Sequence, residues 1–413
     1  MVRKNRVERV TCLGASAVEF GGKYMMTNAS EPTTTVSLAT RLPELDAVRG
    51  LAIVLVLLWH YGACQLEHNP GTALNFIRQA LGICWSGVDL FFVLSGFLIG
   101  GILIENRESR NYFRVFYLRR ACRIFPLYYG WLAIAGVLFA LGWHHRVPTL
   151  FADRTPFWSY LTYTQNFFYA GQGTLGSPWL GVTWSLAVEE QFYLLLPLFV
   201  RVVSAERLPY WLVWLVLAAP VFRLCFWYFM PNQGAGFVLL PCRWDSLLMG
   251  VLGASLVRKP GFIHAVRRNE RFLYILLGVI AAGVTILRVT KQGYPWSFGT
   301  QMMGFLWLAV FYLVIIILSL YSGSHWMKRP FRVGWLQRIG GISYAVYLFH
   351  QPVSWLFHQL LWKDEPRLTT LPRFATTCCA LACTLLLASV SWRVFESKCV
   401  SWGRGFTYRA RVP

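Results

Sequence analysis

Residues 45–60 read LDAVRGLAIVLVLLWH, a charged pair followed by an apolar run that closes on Trp59 and His60. A helix rises about 1.5 Å per residue, so about 20 apolar residues cross the roughly 30 Å hydrocarbon core of a bilayer. A segment at 49–65 fits that length. Working outward, comparable stretches recur at 83–104, 126–143, 180–200, 210–230, 236–257, 272–290, 298–321, 340–361 and 372–396. They predict an all-α polytopic membrane protein with about ten transmembrane helices. Between the fifth and sixth stretches only PNQGA intervenes, and its Pro and Gly predict a tight turn there.

Composition agrees. The chain has 413 residues, 56% of them hydrophobic and only 14% charged, too few charges for an ordinary soluble domain and too many apolar residues for a disordered one. Lys and Arg number 39 against 18 Asp and Glu, a net charge of +21. The basic residues fall between apolar runs, at 107–123, 258–271, 328–338 and both ends, rather than on one polar domain. That pattern excludes nucleic acid as the expected partner and points to the lipid bilayer. With the N-terminus inside, about 29 basic residues lie on the inner side and about 7 outside, so both termini are expected in the cytoplasm. The longer outer segments are then 66–82, 144–179, 291–297 and 362–371.

Three regions follow: a disordered cytoplasmic tail at 1–41, a membrane domain at 42–396 and a basic cytoplasmic tail at 397–413. The first region has a polar Ser/Thr/Pro stretch and lacks the apolar core of a signal peptide, and Met25 or Met26 is an alternative start. Ten cysteines show no CxxC spacing or Cys/His cluster, so packing is their expected role and no metal site is indicated.

Charged side chains inside spans are costly and are site candidates by default. In the first span Arg49 and His60 are eleven positions apart, close to three helical turns. That spacing puts them on one face, roughly 16 Å apart along the axis, with His60 the more outward. Plainer roles are open to each: Asp46 as helix cap, Arg49 as snorkelling anchor, His60 as interhelical hydrogen bonder. The second span, GVDLFFVLSGFLIGG at 87–101, offers Asp89 and Ser95, and its Gly96 and Gly100 suit close helix packing. YLRRACRIFPLYY at 117–129 puts Arg119, Arg120 and Arg123 at the inner surface, as topological anchors or as a phosphate clamp. TWSLAVEEQFY at 183–193 places Glu189 and Glu190 within an apolar helix, and at least one should face a cavity. Trp184 and Tyr193 beside them also fit an interfacial belt. In PCRWDSLLMG at 241–250, Arg243 and Asp245 are two apart and do not face each other, so each needs a partner on another helix. ISYAVYLFHQP at 342–352 sets His350 mid-span, for structure or for chemistry.

These strings resemble, in order and over residues 42–396, the membrane acyltransferase-3 family. The resemblance implies transfer of an acyl group, often acetyl from acetyl-CoA, to a hydroxyl of a carbohydrate or glycolipid acceptor such as peptidoglycan or lipopolysaccharide. It also implies the bacterial inner membrane and glycan-assembly partners. Some members carry a further esterase-like domain after the spans. With the sequence reaching only Pro413, no such domain is expected after the spans, and transfer is expected to be completed by the membrane domain or a separate partner.

The residue types suit that chemistry. A sugar hydroxyl needs a positioned base, for which His60 is the candidate. The thioester oxyanion needs donors, for which Trp184, Tyr193 or an arginine are candidates, and Glu189 is a candidate to orient the base or the acceptor. Arg49, Arg120 and Arg123 lie on the side where acyl-CoA resides, as a substrate rather than a tightly bound cofactor. A transporter would also use intramembrane polar residues, but no internal repeat or broken-helix pair accompanies them here. A sensor or scaffold would leave them dispensable.

Overall fold

A computed structural model describes residues 42–410 except Pro231, Gln233 and Lys291. The tail expected at 1–41 and residues 411–413 lie outside the described residues. Among the described residues there are helices and no strand. The ten long helices are α1 (Pro43–Ala63), α2 (Ala73–Glu105), α3 (Tyr112–Ala140), α4 (Trp184–Val202), α5 (Leu208–Phe229), α6 (Ala235–Leu256), α7 (Glu270–Val289), α8 (Thr300–Tyr321), α9 (Ser343–Trp362) and α10 (Leu371–Arg404). Eight of them are long and apolar enough to cross a membrane. The other two, α4 and α9, have 19 and 20 residues, about 30 Å at 1.5 Å per residue, but are made less apolar by side chains such as Glu189 and His350.

Three boundaries differ from the expected ones. Helix α2 starts ten positions earlier than the expected 83, so part of the outer segment 66–82 is helical. Helix α3 begins at Tyr112 rather than near Pro126, which lies inside it. Proline removes only one backbone donor, and packing carries the helix through it. Arg119, Arg120 and Arg123 therefore sit on a continuous helix, not in a surface loop. The third concerns the tail drawn at 397–413. Helix α10 runs through Glu396, which is buried and receives a 2.8 Å hydrogen bond from the Ser391 hydroxyl, and ends only at Arg404. The chain beyond it docks on α3: Arg119 Nε donates to the Phe406 carbonyl at 2.7 Å, and the Arg409 amide donates to Asn111 Oδ1 at 2.9 Å.

The fifth and sixth spans are separate helices, since α5 stops at Phe229 and helix resumes at Ala235. The most extensive helix pair is α2 with α6. A methyl on Gly96 would lie 1.8 Å from the Leu247 carbonyl, and one on Gly250 would lie 2.0 Å from the Val93 carbonyl. Only glycine permits this approach, which is how helices gain packing where lipid tails are as apolar as leucine. On α1, Gly50 meets the short helix Gly334–Gly341 equally closely.

Helix α6 carries two fully buried ion pairs, Arg243 with Asp89 of α2 at 2.7 Å and Asp245 with Arg223 of α5 at 2.8 Å. Arg243 and Asp245 each find a partner on another helix, as their spacing requires. The Arg243 guanidinium also stacks 3.8 Å from the Phe305 ring centroid. Helices α5 and α7 are peripheral and turn Tyr210, Trp214, Phe272, Ile275 and Val279 outward, the surface a bilayer would cover.

Candidate active site

A cavity of about 180 Å³ opens between α1, α2, α3, α4 and α9. Helix α2 contributes Val88, Phe91, Ser95, Leu98 and Ile102, a stripe at three- to four-residue spacing about 21 Å long. Arg49, Arg120 and Arg123 line one part, and Ser185 and Tyr347 line another. A second cavity of about 490 Å³ adjoins the first part, with Arg49, Leu98, Ile102, Arg120 and Arg123 bordering both. The structure thus brings together Arg49, Arg120 and Arg123, the arginines expected on the acyl-CoA side, while Arg119 lines only the second cavity. Arg49 is held by Asp46 at 3.0 Å. Arg120 and Arg123 make no hydrogen bond or contact ion pair among the described residues.

Glu189 and Tyr193 join this cavity. The Glu189 carboxyl interacts with the Tyr193 and Ser95 hydroxyls and with Arg120 and Arg123, and shows no interaction with His60. Ser95 and Tyr193 hydrogen-bond each other. Of the two adjacent glutamates, Glu189 faces the cavity. Glu190 interacts instead with Tyr129, Tyr163 and Tyr344. Trp184 lies outside the cavity and packs on Phe92 and Phe237 near Arg243, where indole and cation share a buried cluster.

His60 and His350 meet. Their rings are 4.8 Å apart between centroids, with His350 Nε2 3.2 Å from His60 Nδ1. The remaining partners assign the protons. His350 Nδ1 is 2.6 Å from the Tyr347 carbonyl and must donate to it, which leaves Nε2 of neutral His350 as an acceptor. His60 Nδ1 therefore donates, to His350 and to the Val56 carbonyl at 3.2 Å. The lone pair of His60 is then on Nε2, which accepts no hydrogen bond among the described residues. A turn of π-helix, Leu58–Ala63, carries His60. Such turns shift the helical phase, as is common at functional sites.

Neither histidine lines the cavity. Tyr347 stands between, with its ring 5.7 Å from that of His350 and its hydroxyl donating to the Val182 carbonyl at 3.0 Å. Ser185 Oγ is 2.6 Å from the same hydroxyl. On the far side, the Tyr61 hydroxyl donates to the His350 carbonyl at 2.7 Å and lies 2.9 Å from Thr384 Oγ1, fixing the end of α1 against α9 and α10.

Sequence reasoning missed four contributors. Tyr344 lines the cavity, and the helical spacing of Ser343, Tyr344 and Tyr347 was the available signal. Arg223 sits inside the expected span 210–230, and its charge in that apolar run was the available signal. Arg404 and Tyr408 line the larger cavity, and nothing in a terminal basic segment announces that. Tyr408 is packed under Arg119, 5.3 Å from guanidinium carbon to ring centroid. Burial pushes its hydroxyl above the ordinary tyrosine range, against the opposing pull of Arg119 and Arg120.

A family model described as an acyltransferase domain matches residues 42–393. The peptidoglycan O-acetyltransferase OatA of Listeria monocytogenes is 26% identical over 370 residues, covering 86% of this chain and 55% of the relative. A protein of Bacillus subtilis, YrhL, named as a candidate peptidoglycan O-acetyltransferase, is 28% identical over 339 residues, 76% of this chain and 48% of its own length. A candidate O-acetyltransferase of Staphylococcus aureus is 23% identical over 370 residues, 86% and 57%. The chain spans about half the length of these curated relatives, and no solved structure matches it. With the match running from the first residue of the described fold almost to the end of its last span, this chain belongs to the acyltransferase-domain family.

Proposed function

We propose that this protein is a membrane O-acyltransferase that moves an acyl group, acetyl in the first instance, from cytoplasmic acyl-CoA to a hydroxyl of an extracytoplasmic carbohydrate or glycolipid. The names of its relatives make peptidoglycan the first acceptor to try, and a bacterial inner membrane the setting. The observation that carries the reading is the pair of adjoining cavities. Arg49, Arg120 and Arg123 line one part, and another reaches Tyr347, whose ring packs on His350, the partner that hydrogen-bonds Nδ1 of His60 and leaves His60 Nε2 free. An anionic nucleotide with a long, thin acyl-bearing arm fits such a space.

In this mechanism the arginines hold the phosphates. Ser95, Tyr193 and Glu189 line the passage and offer hydrogen bonds to the amides of the arm. The acyl thioester arrives at Ser185 and Tyr347, and a tilt of the Tyr347 ring that keeps its hydroxyl beside Ser185 exposes it to His60. His60 Nε2 takes the proton of the acceptor hydroxyl as its oxygen attacks the carbonyl carbon. The Ser185 and Tyr347 hydroxyls stabilise the oxyanion, in place of Trp184, which the fold keeps away. Collapse breaks the C–S bond, and the departing thiolate takes the proton back from His60. His350 is a positioning residue that orients the His60 ring and, together with the Val56 carbonyl, favours the tautomer that leaves Nε2 basic.

The reading is tested with purified protein in detergent, labelled acetyl-CoA and a panel of glycans. Label transferred to a glycan and lost in His60→Ala is the expected result. No transfer to any glycan, or full activity in His60→Ala, overturns the mechanism.

A further inference from the structure

The larger cavity is not closed by the membrane helices alone. One wall is the end of α10 and the chain just beyond it, which supply Gly403, Arg404 and Tyr408. Four more arginines face the same space, Arg49, Arg119, Arg120 and Arg123, against one lining carboxylate, Asp46, which Arg49 already engages. Five guanidinium groups around about 490 Å³ are more positive charge than a single phosphate would require, and each such group gains most from bidentate contact with phosphate oxygens. The Tyr408 hydroxyl is buried with no hydrogen-bonding partner among the described residues, which is costly unless a ligand supplies an acceptor. The wall is also anchored. Gly403 packs against Cys122, where an added methyl would lie 2.8 Å from its Cβ. Residues 406–409 are tied to Asn111 and Arg119 by backbone and side-chain hydrogen bonds.

We propose that residues 404–408 are part of the donor site and grip the phosphorylated nucleotide end of acyl-CoA, Arg404 by a charge-assisted contact to phosphate and Tyr408 by a hydrogen bond from its hydroxyl. This segment sets specificity for a nucleotide-bearing donor over a bare pantetheine thioester. The inference rests on the reading that acyl-CoA is the donor, and goes beyond it by assigning the terminal segment a binding role.

The experiment compares wild type, Arg404→Gln, Tyr408→Phe and the double variant, each purified in detergent and checked for a monodisperse elution profile. Affinity for CoA and for 3′-dephospho-CoA is measured by calorimetry, and kcat/KM is measured for acetyl-CoA and S-acetyl-pantetheine. The double variant is expected to weaken CoA binding about tenfold and to shrink the preference for acetyl-CoA over S-acetyl-pantetheine by a similar factor. Tyr408→Phe, which keeps the ring and its packing, isolates the hydroxyl and is expected to weaken CoA about threefold. Wild-type affinity and an unchanged donor preference in a well-folded double variant overturn this inference alone. Equal loss with both donors also overturns it, since that marks a structural role. Absence of CoA binding by wild type overturns both this inference and the donor assignment beneath it.

Discussion

Replacing His350 by Phe separates the roles assigned to the two histidines. Phe has a similar shape and leaves the buried site filled, but removes the acceptor 3.2 Å from His60 Nδ1. His60 keeps its second contact, the Val56 carbonyl at 3.2 Å, so the tautomer with a basic Nε2 survives and only one orienting hydrogen bond is lost. Such a bond is worth about 1 kcal/mol net, and each 1.36 kcal/mol in the barrier is tenfold in rate. His350→Phe should therefore lower kcat about fivefold, within a range of roughly two- to tenfold. His60→Ala removes the base itself and should cost about 10²- to 10⁴-fold. The assay is the initial rate of labelled acetyl transfer from saturating acetyl-CoA to a muropeptide acceptor, per mole of monodisperse protein. A His350→Phe loss as large as that of His60→Ala would refute the reasoning, because it would make His350 the proton acceptor or the pair a single unit.

Other outcomes follow from the same structure. Arg120→Ala/Arg123→Ala should raise the KM for acetyl-CoA at least tenfold, two charge-assisted contacts being lost, and CoA affinity by calorimetry checks it. Arg243→Met leaves Asp89 charged and buried without its partner, so the apparent Tm in detergent should fall by an amount equivalent to about 3–5 kcal/mol. Asp89→Leu/Arg243→Met should recover most of it. Gly250→Ala places a methyl 2.0 Å from the Val93 carbonyl and should cost about 1–3 kcal/mol. Gly278→Ala on lipid-facing α7 meets nothing within 4 Å and should be neutral or stabilising by up to about 1 kcal/mol. Thermal shift on the pair gives the contrast.

Much of the site was legible because charge inside an apolar helix has few places to go. Arg49, Arg120, Arg123 and Glu189 all reach one cavity, as cost in lipid demands. The requirement that Arg243 and Asp245 seek partners elsewhere was legible in a spacing of two. Trp184 was not placed by its neighbourhood, since the rotation of about 100° per residue turns it from the cavity face of Ser185 to the cluster around Arg243. Glu189 was read with His60, but lies with the arginines because α4 presents it at their depth.

By itself, the sequence determined that this is a bundle of apolar helices, where most of them begin and end, and which side chains are too polar to face lipid. Those properties follow from local composition and length, which a bilayer reads residue by residue. Only the tertiary structure decided that His60 meets His350, that Arg243 chooses Asp89 while Asp245 chooses Arg223, and that the last described residues wall an arginine-lined cavity. Each of these joins segments more than twenty positions apart in the chain, most of them far more. The phase and depth at which two helices pack set those contacts, and no window along a single helix contains that information.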